Sequence, residues 1–283
     1  MTRYAITGAA GMLGQDLQRA LEGRDVTALT RSDLDITDAA ACAKALEGFD
    51  VIINAAAYTA VDDAETNEAA ALAINGTGVE NLAKAAAAAN AKFVHVSTDY
   101  VFKGDATQPY GENDPRDPIN AYGRTKAAGE EAALAVHPEG TYIVRTAWLY
   151  GAGGPNFAKT MVKLAGSHPE ITVVNDQLGQ PTYTRDLAAQ IVKLVDADAP
   201  AGIYHGTNSG TATWFDFARE IFRLSGNDPE RVQPTDSAAF KRPAARPAFS
   251  VLGHDAWLAA GIEPMRPWLE ALEQAAEDGV LAA

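Results

Sequence analysis

Short hydrophobic runs alternate with segments of helical periodicity along the first half of the chain. The runs predict strands at residues 4–7, 25–29, 51–55, 93–97 and 142–146. Apolar residues at helical spacing predict helices between them, at 13–21, 39–46, 68–89 and 122–135. Strands that are apolar on both faces and separated by helices are typical of a parallel sheet covered on both sides. Because crossovers between such strands are right-handed, the pattern predicts a doubly wound α/β fold.

The second half of the chain has a less regular pattern, which begins after Trp148. A proline-containing, charged stretch at 233–246 predicts an irregular surface segment. Before it, the pattern predicts helices at 157–165, 185–195 and 214–224 and strands at 171–174 and 202–205. We therefore predict a first domain at 1–150, to which 179–206 return, and a smaller interleaved α/β lobe, mainly 151–178 and 207–283.

Composition and charge exclude several classes of protein. The 283 residues include 23 Lys and Arg against 37 Asp and Glu, which gives a formal net charge of −14. A chain this acidic repels a phosphate backbone, so we expect no nucleic-acid polymer as a partner. The single cysteine, Cys42, excludes a disulfide framework and a Cys-rich zinc site, and its helical context predicts a small buried side chain.

The sequence shows neither a signal-peptide pattern nor a membrane-spanning pattern. No apolar region of the signal-peptide type precedes Gly8, and no hydrophobic run approaches the ~20 residues that a membrane-spanning helix needs. We therefore expect a cytoplasmic protein without a membrane partner.

A glycine-rich turn joins the first predicted strand to the first predicted helix. Gly8, Gly11 and Gly14 follow the spacing G-x-x-G-x-x-G, one residue longer than the common dinucleotide motif G-x-G-x-x-G. In a strand–turn–helix context, backbone N–H groups and the helix N-terminus can face a pyrophosphate. This context favours a Rossmann-type, dinucleotide-binding first domain over plain turn chemistry.

Residues after the second predicted strand bear on the choice between NADPH and NADH. An acidic residue there would bind the ribose 2′-OH of NADH, whereas this chain has Arg31, which could pair with the 2′-phosphate of NADPH. Asp33 and Asp35 follow closely and weaken this preference. The sequence favours NADPH and leaves NADH open, and a solvated surface charge is the alternative for Arg31.

Tyr122 and Lys126 form a Y-x-x-x-K motif at the start of a predicted helix, and their spacing places both on one helix face. A tyrosine has an ordinary pKa of about 10, and a neighbouring ammonium lowers it toward the range of acid–base catalysis. Ser97 and Thr98 stand at the carboxyl end of the fourth predicted strand, where ligands of open α/β sheets bind, and a hydroxyl there could bond a substrate carbonyl. We predict Tyr122 and Lys126 as an acid–base pair.

These features resemble the extended short-chain dehydrogenase/reductase family. Two strings are more specific than the glycine turn or Y-x-x-x-K, namely S-T-D-Y-V-F at 97–102 and D-Q-L-G-Q-P-T at 176–182. The resemblance implies hydride transfer from NAD(P)H to C4 of a dTDP-linked 4-keto-6-deoxy sugar, dTDP-4-keto-L-rhamnose in our reading. It also implies that Tyr122 donates the proton to the C4 alkoxide, that Lys126 tunes Tyr122 and holds the cofactor ribose, and that Thr98 polarises the carbonyl.

Binding residues also follow from the resemblance. It implies pyrophosphate contacts for Gly11, Met12 and Leu13, adenine-side contacts for Asp35 and Ile36, nicotinamide-side contacts for Ala57, Tyr58 and Thr59, and sugar contacts for Thr98, Asp99 and Trp148. A dTDP-sugar is a dianion, so an acidic protein needs local cations to bind it. Lys241, Arg242 and Arg246 form the densest basic cluster of the C-terminal part and are candidate diphosphate contacts.

The resemblance to this family also bears on metal binding. Some family members bind Mg²⁺ through acidic residues at a dimer interface. Asp16 matches one such position, but Arg185 stands where another acid would be expected. We therefore expect no metal, and the chain is either a monomer or a homodimer.

Two alternative functions stay open. The protein could reduce another dTDP-4-keto-deoxysugar, or it could be a non-catalytic regulator similar to the regulatory subunit of methionine adenosyltransferase. The presence of Thr98, Tyr122, Lys126 and the glycine turn favours an enzyme, because a regulator does not need them.

Overall fold

The computed structural model describes residues 1–282. In that part of the chain, six parallel strands form the main sheet, and they are β1 (Arg3–Thr7), β2 (Asp25–Leu29), β3 (Val51–Asn54), β4 (Lys92–Thr98), β5 (Thr141–Thr146) and the later strand Gly202–His205. The later strand lies beside β5, and β2 lies at the opposite edge. The predicted parallel α/β sheet is therefore confirmed, with strand ends within one or two residues of their predicted positions.

Helices alternate with the first five strands and cover both faces of the sheet, and further helices belong to the second part of the chain. Their bounds are α1 (Met12–Ala20), α2 (Ala39–Ala45), α3 (Val61–Ala64), α4 (Glu68–Leu72), α5 (Val79–Ala89), α6 (Ala121–Val136), α7 (Phe157–Ser167), α8 (Thr184–Asp196), α9 (Trp214–Leu224), α10 (Asp255–Ala259) and α11 (Trp268–Glu277). Single-turn 3₁₀ segments occupy Asp99–Val101 and Pro229–Arg231. Within residues 1–282, no helix is both long and apolar enough to cross a membrane.

Alternate residues of each central strand belong to different layers of the core. In β3, Ile53 packs with α1 and α8 on one face, whereas Ile52 packs with α2 and α5 on the other. This alternation explains why the strands read as continuous apolar runs, because both faces are covered. Cys42 is fully buried in the second of these layers, and burial raises the pKa of its thiol to about 11.

The long helix predicted at 68–89 is interrupted, and the prediction is wrong in that respect. Between α4 and α5 the chain widens into a π-helical segment, Ala73–Gly78. The wider turn directs the buried side chain of Asn75 out of the helix toward Tyr58 and Thr125. A hydrophobic period alone cannot reveal this change, because the flanking residues keep the helical pattern.

Short strand pairs characterise the rest of the chain. They are formed by β6 (Leu149–Tyr150), β7 (Ile171–Val174), β8 (Leu178–Gly179), β9 (Thr182–Tyr183), β11 (Ala212–Thr213) and β12 (Val232–Thr235), with Gly202–His205 numbered β10. The segment predicted as irregular at 233–246 therefore begins with part of a strand, which is a correction. β12 pairs in parallel with β7, and a two-stranded pair leaves each strand a free edge where Pro234 is tolerated.

A separate aromatic core holds these pairs together. Tyr150, Tyr183, Phe217 and Trp268 belong to it. Residues 257–265 instead contribute Trp257 to the core layer beside α1 and α8. The division of the chain into a first domain and a substrate lobe stays a prediction.

Candidate active site

The carboxyl ends of the parallel strands meet at one edge of the sheet. From β1 the strand order runs outward to β2 on one side and to β3, β4 and β5 on the other. In open α/β sheets, ligands bind beyond the carboxyl ends of the strands where the order reverses in this way. The glycine turn follows β1 and Thr98 ends β4, so both lie at this edge.

The glycine turn leaves no room for larger residues. Gly8 has a φ of +73°, and a Cβ there would lie 2.5 Å from the backbone nitrogen of Ala56. A Cβ on Gly14 would lie 2.3 Å from the carbonyl oxygen of Gly8. Gly11 is the N-cap of α1 and makes no side-chain hydrogen bond to the first turn of the helix. The first N–H groups of α1 can therefore serve an anionic group such as a pyrophosphate.

Beside this turn lies a cavity of about 490 Å³, a size typical of ligand sites. Its lining includes the predicted dinucleotide residues Gly8, Gly11, Arg31, Asp35, Ile36 and Ala57. The other predicted residues, Met12, Leu13, Gly14, Tyr58 and Thr59, neighbour these in the chain and are not part of the lining. Leu13 is buried in the core, so only its backbone could contact a ligand.

Acidic residues near Arg31 are occupied by local hydrogen bonds. Asp33 accepts from the backbone and hydroxyl of Thr30, at 2.9 and 2.6 Å. Asp35 accepts from the backbone and hydroxyl of Thr37, at 3.0 and 2.8 Å. These bonds lower the pKa of both carboxyl groups and keep them ionised. In the described part of the chain, Arg31 itself makes neither a hydrogen bond nor an ion pair with a side chain.

The loop after β3 is held by a residue that the sequence did not single out. Asn75, in the π-helical segment, accepts from the backbone nitrogen of Tyr58 at 2.8 Å and donates to its carbonyl oxygen at 3.1 Å. It also donates to the hydroxyl of Thr125 in α6 at 3.1 Å. One buried amide thus fixes the predicted nicotinamide-side loop against the helix that carries Tyr122. The phenol of Tyr58 donates to Asp63.

Tyr122 and Thr98 are brought together by the ends of α6 and β4. Asn120 caps α6 by accepting from the backbone nitrogen of Gly123 at 2.8 Å, which places Tyr122 in the first turn. Burial and the nearby charge of Asp99 hold the pKa of Tyr122 above its ordinary value, while a hydrogen bond with the Thr98 hydroxyl opposes that shift. The two hydroxyl groups are therefore positioned to act on the same substrate atom.

Lys126 lies below this pair and contacts the sheet. Its ammonium group donates to the carbonyl oxygen of Val96 at 2.7 Å and lies 3.3 Å from Nε2 of His95. Burial lowers the pKa of Lys126 to about 8, against the opposing charge of Glu130. The structure places Lys126 one helical turn from Tyr122, and its hydrogen bonds go to β4.

Asp99 is buried beside the two hydroxyl groups, with 2% of its surface exposed. Its Oδ1 accepts from the hydroxyl of Thr98 at 2.9 Å. Burial raises the pKa of Asp99 to about 6, against the hydroxyls of Ser250 and Thr98. Within the described residues, its Oδ2 has no hydrogen-bond partner. A buried unpaired oxygen costs free energy, so a ligand hydroxyl there would remove that penalty.

A second cavity, of about 820 Å³, lies next to Tyr100. Tyr100 contacts the ring of Tyr122 edge-on at 5.8 Å between centroids. The cavity is lined by aromatic and apolar residues of α7, α9 and β7 and by Lys241, Arg242 and Arg246. Trp148 is not part of this lining, but it stacks on the lining residue Trp214 at 3.7 Å between centroids. The structure thus places the predicted basic cluster at this cavity and Trp148 behind its wall.

The basic cluster is partly neutralised by Asp62 in α3. Arg246 contacts one carboxylate oxygen of Asp62 at 3.0 Å, and Arg242 contacts the other at 3.4 Å. These ion pairs connect the segment after β12 to α3. Lys241 lines the cavity without such a pair among the described residues.

The two positions compared with a metal site are engaged elsewhere. Asp16 is buried and accepts from Thr184 at 2.6 Å and from Arg19 at 2.9 Å. Arg185 forms an ion pair with Asp278 at 2.7 Å. Over residues 1–282, no group of three or more His, Cys, Asp or Glu side chains is arranged to hold a metal ion.

Sequence reasoning missed Asn75 and His95 and did not foresee the pairing of Asp62 with the basic cluster. A polar residue between two valines of a strand that is buried on both faces is the signal that could have identified His95. No comparable signal marks Asn75, because its partners come from elements distant in sequence.

Comparison with protein families gives one match over nearly the whole chain. The family model described as the RmlD substrate binding domain matches residues 2–280. The dTDP-4-dehydrorhamnose reductase of Streptomyces griseus is 51% identical over 280 residues, covering 96% of this chain and 92% of that protein. The dTDP-4-keto-6-deoxy-D-glucose reductase of Streptomyces niveus is 50% identical over 277 residues and covers 96% of both chains.

Solved structures give the same match. The Bacillus anthracis dTDP-4-dehydrorhamnose reductase in complex with NADP has a TM-score of 0.95 and 40% identity, covering 98% of this chain and 100% of that chain. The Clostridium acetobutylicum reductase has a TM-score of 0.94 and 43% identity, with 98% and 99% covered.

Proposed function

Because the chain belongs to the dTDP-4-dehydrorhamnose reductase family, we propose that it catalyses the NADPH-dependent reduction of the C4 keto group of dTDP-4-keto-L-rhamnose to dTDP-L-rhamnose. The observation that carries this proposal is the meeting of Thr98, Asp99 and Tyr122 at the carboxyl end of β4. This group lies at the same sheet edge as the glycine turn, and Tyr122 contacts Tyr100 in the wall of the larger cavity.

Tyr122 transfers the proton, and Thr98 orients the carbonyl. The hydroxyl of Thr98 would turn from Asp99 to donate to the C4 carbonyl oxygen, and Tyr122 O–H donates its proton to that oxygen, which becomes the C4 hydroxyl. The raised pKa of Tyr122 keeps the phenol protonated at neutral pH, which the reduction direction needs. The charge of Lys126 favours the phenolate that Tyr122 becomes after the proton has left.

The smaller cavity would hold the adenosine and pyrophosphate part of NADPH, which supplies the hydride when bound. The glycine turn and the N-terminus of α1 would hold the pyrophosphate, with Leu13 contributing only its backbone. Asp35 and Ile36 lie at the adenine side, and Ala57 to Thr59 at the nicotinamide side. Arg31 would bond the 2′-phosphate, and this is why we propose NADPH over NADH.

The sugar nucleotide would occupy the larger cavity. Asp99 offers its unpaired Oδ2 to a sugar hydroxyl, and the aromatic wall that Trp148 supports would contact the base or sugar. Lys241 and Arg246 supply positive charge for the diphosphate. In this proposal the substrate lobe consists mainly of 151–178 and 207–283, and 1–150 with 179–206 bind the dinucleotide.

A second candidate is reduction of another dTDP-4-keto-deoxysugar, because a relative that is 50% identical is named a dTDP-4-keto-6-deoxy-D-glucose reductase. We further propose a cytoplasmic enzyme that binds no metal and works as a monomer or a homodimer. The regulatory alternative is disfavoured by the meeting of Thr98 with Tyr122 and by the presence of Lys126 one helical turn away.

The deciding experiment measures NADPH oxidation with dTDP-4-keto-L-rhamnose and with dTDP-4-keto-6-deoxy-D-glucose. We expect the higher kcat/KM with the former. A reversed order would select the second candidate, and the absence of turnover with both sugars and both cofactors would favour a regulator.

The same assay tests the proton donor. Tyr122→Phe should lower kcat at least ~100-fold, the contribution expected of a positioned general acid, while leaving the Kd of NADPH within about twofold. Tyr142→Phe is the matched control, because its phenol bonds the carbonyl of Ala199 inside the core. Equal kcat values for Tyr122→Phe and the control would contradict the assignment.

A further inference from the structure

Four buried polar side chains form a continuous row of contacts beneath Thr98 and Tyr122. The hydroxyl of Thr7 in β1 donates to Oδ1 of Asn54 in β3 at 2.7 Å. Nδ2 of Asn54 lies 3.0 Å from Nδ1 of His95 in β4, and Nε2 of His95 lies 3.3 Å from Nζ of Lys126 in α6. Each of the four is at most 1% exposed. The row therefore connects three neighbouring strands to one catalytic side chain.

Backbone geometry fixes the direction of these hydrogen bonds. The N–H of Ala56 can only donate, and it donates to Oδ1 of Asn54 at 3.0 Å. The other amide atom of Asn54 is therefore nitrogen, which can only donate to His95. Nδ1 of His95 must accept and carries no proton.

The remaining ring nitrogen consequently holds the proton. Burial and the charge of Lys126 keep the pKa of His95 well below its usual value, so the imidazole is neutral. A neutral imidazole with an unprotonated Nδ1 carries its hydrogen on Nε2. That hydrogen faces Nζ of Lys126.

This arrangement distinguishes the two forms of Lys126. An ammonium has no lone pair to accept from Nε2–H, whereas a neutral amine can accept from it while still donating to Val96. The charged group facing Lys126 is Glu130, one turn along α6, and its carboxylate is itself paired with Arg145 of β5 at 2.8 Å. The contact with His95 therefore favours the amine over the ammonium.

We propose that His95 is a positioning residue that sets the protonation state of Lys126, and that Asn54 and Thr7 hold the imidazole in the tautomer this requires. The inference rests on the proposed function only in that Lys126 acts on Tyr122 during reduction. Since the charge of Lys126 favours the tyrosinate, the pH at which Lys126 loses its proton fixes the alkaline limb of the rate profile.

The first test is nuclear magnetic resonance on the full chain without added nucleotide. Imidazole ¹⁵N shifts, assigned to His95 with His95→Leu, should show a bare Nδ1 and a protonated Nε2. The ¹³Cε resonance of Lys126, assigned with Lys126→Arg, should titrate near pH 8. A proton found on Nδ1 would overturn the proposal.

The second test changes the tautomer without removing the imidazole. In Asn54→Asp the carboxylate accepts from Thr7, Ala56 and Nδ1–H, which turns Nε2 into an acceptor for the ammonium. We expect the pKa of Lys126 to rise by at least ~1 unit, because Nε2 of His95 changes from a donor to an acceptor and a negative charge is added nearby.

His95→Leu, which removes the donor alone, should also raise the pKa of Lys126, and this variant separates the effect of the donor from that of the added charge. A Lys126 titration unmoved in His95→Leu would overturn the proposal, and Asn54→Asp keeps the test decisive if His95→Leu does not fold.

His205→Leu is the matched control, because it removes an equally buried imidazole whose Nε2 lies 3.4 Å from Arg145. It should leave the Lys126 titration in place. In the enzyme, the alkaline limb of kcat should move upward with the titration in both test variants, whereas a merely structural role would lower kcat equally at every pH and contradict the proposal. The resonance measurements need no substrate, so failure of the proposed function would not be mistaken for failure of this inference.

Discussion

Asp99 shows how a single buried carboxyl group can serve a site at the expense of the fold. Its ordinary pKa of 3.8 is raised to about 6 by burial. The folded protein therefore holds a proton on Asp99 through a range where the unfolded chain has lost it. The free energy of unfolding consequently decreases as pH rises from about 4 to about 6, and the penalty stays complete above that range.

We predict that Asp99→Asn stabilises the protein at pH 7.5 by up to roughly 3 kcal/mol, the free energy that about two pKa units represent. The same variant should lose turnover, because the amide cannot replace both carboxylate acceptors. Unfolding followed by circular dichroism at several pH values checks this. The gain in stability should vanish near pH 4, and a gain that is independent of pH would contradict the role given to ionisation.

The glycine turn and the Y-x-x-x-K motif were recognised from the sequence because each lies within one short stretch. A side chain on Gly14 would meet the backbone of that turn, and Tyr122 and Lys126 are one helical turn apart. The close approach of Gly8 to Ala56, in the loop after β3, is visible only in the folded structure. His95 and Asn75 could not be assigned in this way. Their roles depend on partners 41 and 17 residues away, at Asn54 and Tyr58, so only the folded arrangement reveals them.

At the level of elements, the loop between β2 and α2 keeps the guanidinium of Arg31 available to bind an anion. The hydroxyl of Thr30 donates to Asp33, and that of Thr37 donates to Asp35. Such local bonds of Asp and Thr side chains are typical of tight turns. The two acids that weakened the sequence argument for NADPH are thereby engaged within the loop. Arg31 is left to face the cavity.

We predict that Arg31→Ala raises the KM for NADPH by about 10- to 100-fold, which corresponds to a charge-assisted hydrogen bond of about 1.5–3 kcal/mol. The KM for NADH should stay within about twofold, since NADH has no 2′-phosphate. Steady-state kinetics with both cofactors measures the difference. Equal losses with both would mean that Arg31 supports the loop and does not recognise the phosphate.

The hydrophobic pattern does not predict the π-helical segment, and its wider turn has a structural role. It directs Asn75 into the space between the loop after β3 and α6. Segments of this type recur at functional sites in helices. β12 escaped prediction for a related reason, because its pairing with β7 spans about 60 residues and Pro234 argues against a strand.

We predict that Asn75→Ala destabilises the fold by about 1–3 kcal/mol, because two backbone groups of Tyr58 lose their partner. The Kd for NADPH should rise, since the loop loses its attachment to α6. Urea unfolding and NADPH fluorescence titration measure the two effects. Asn227→Ala is the control, because within residues 1–282 its side-chain amide bonds only Ser225 and Arg231, near the end of α9. It should leave the Kd unchanged, and an unchanged Kd in Asn75→Ala would contradict the loop argument.

At the scale of the whole molecule, the net charge of −14 opposes a dianionic substrate. The charges that repel the substrate are spread over the surface. Arg246, in contrast, has only 19% of its side chain exposed. The Debye length is about 10 Å at 0.1 M salt, so distant surface charges are already screened under ordinary conditions. Contacts inside the cavity span less than this length, so they keep most of their attraction at that salt concentration and lose part of it as more salt is added. Local cations should therefore decide binding.

The salt dependence of KM for the dTDP-sugar tests this balance. Between about 0.05 and about 0.3 M NaCl we expect KM to rise, because added ions weaken the local attraction more than they relieve a repulsion that is already screened. Arg246→Gln should raise KM about tenfold at low salt and flatten the dependence, whereas Arg223→Gln, which breaks an exposed pair with Glu220, should keep the slope of the unaltered protein. A KM that falls with added salt would show that the acidic surface, and not the cavity, governs binding of the nucleotide.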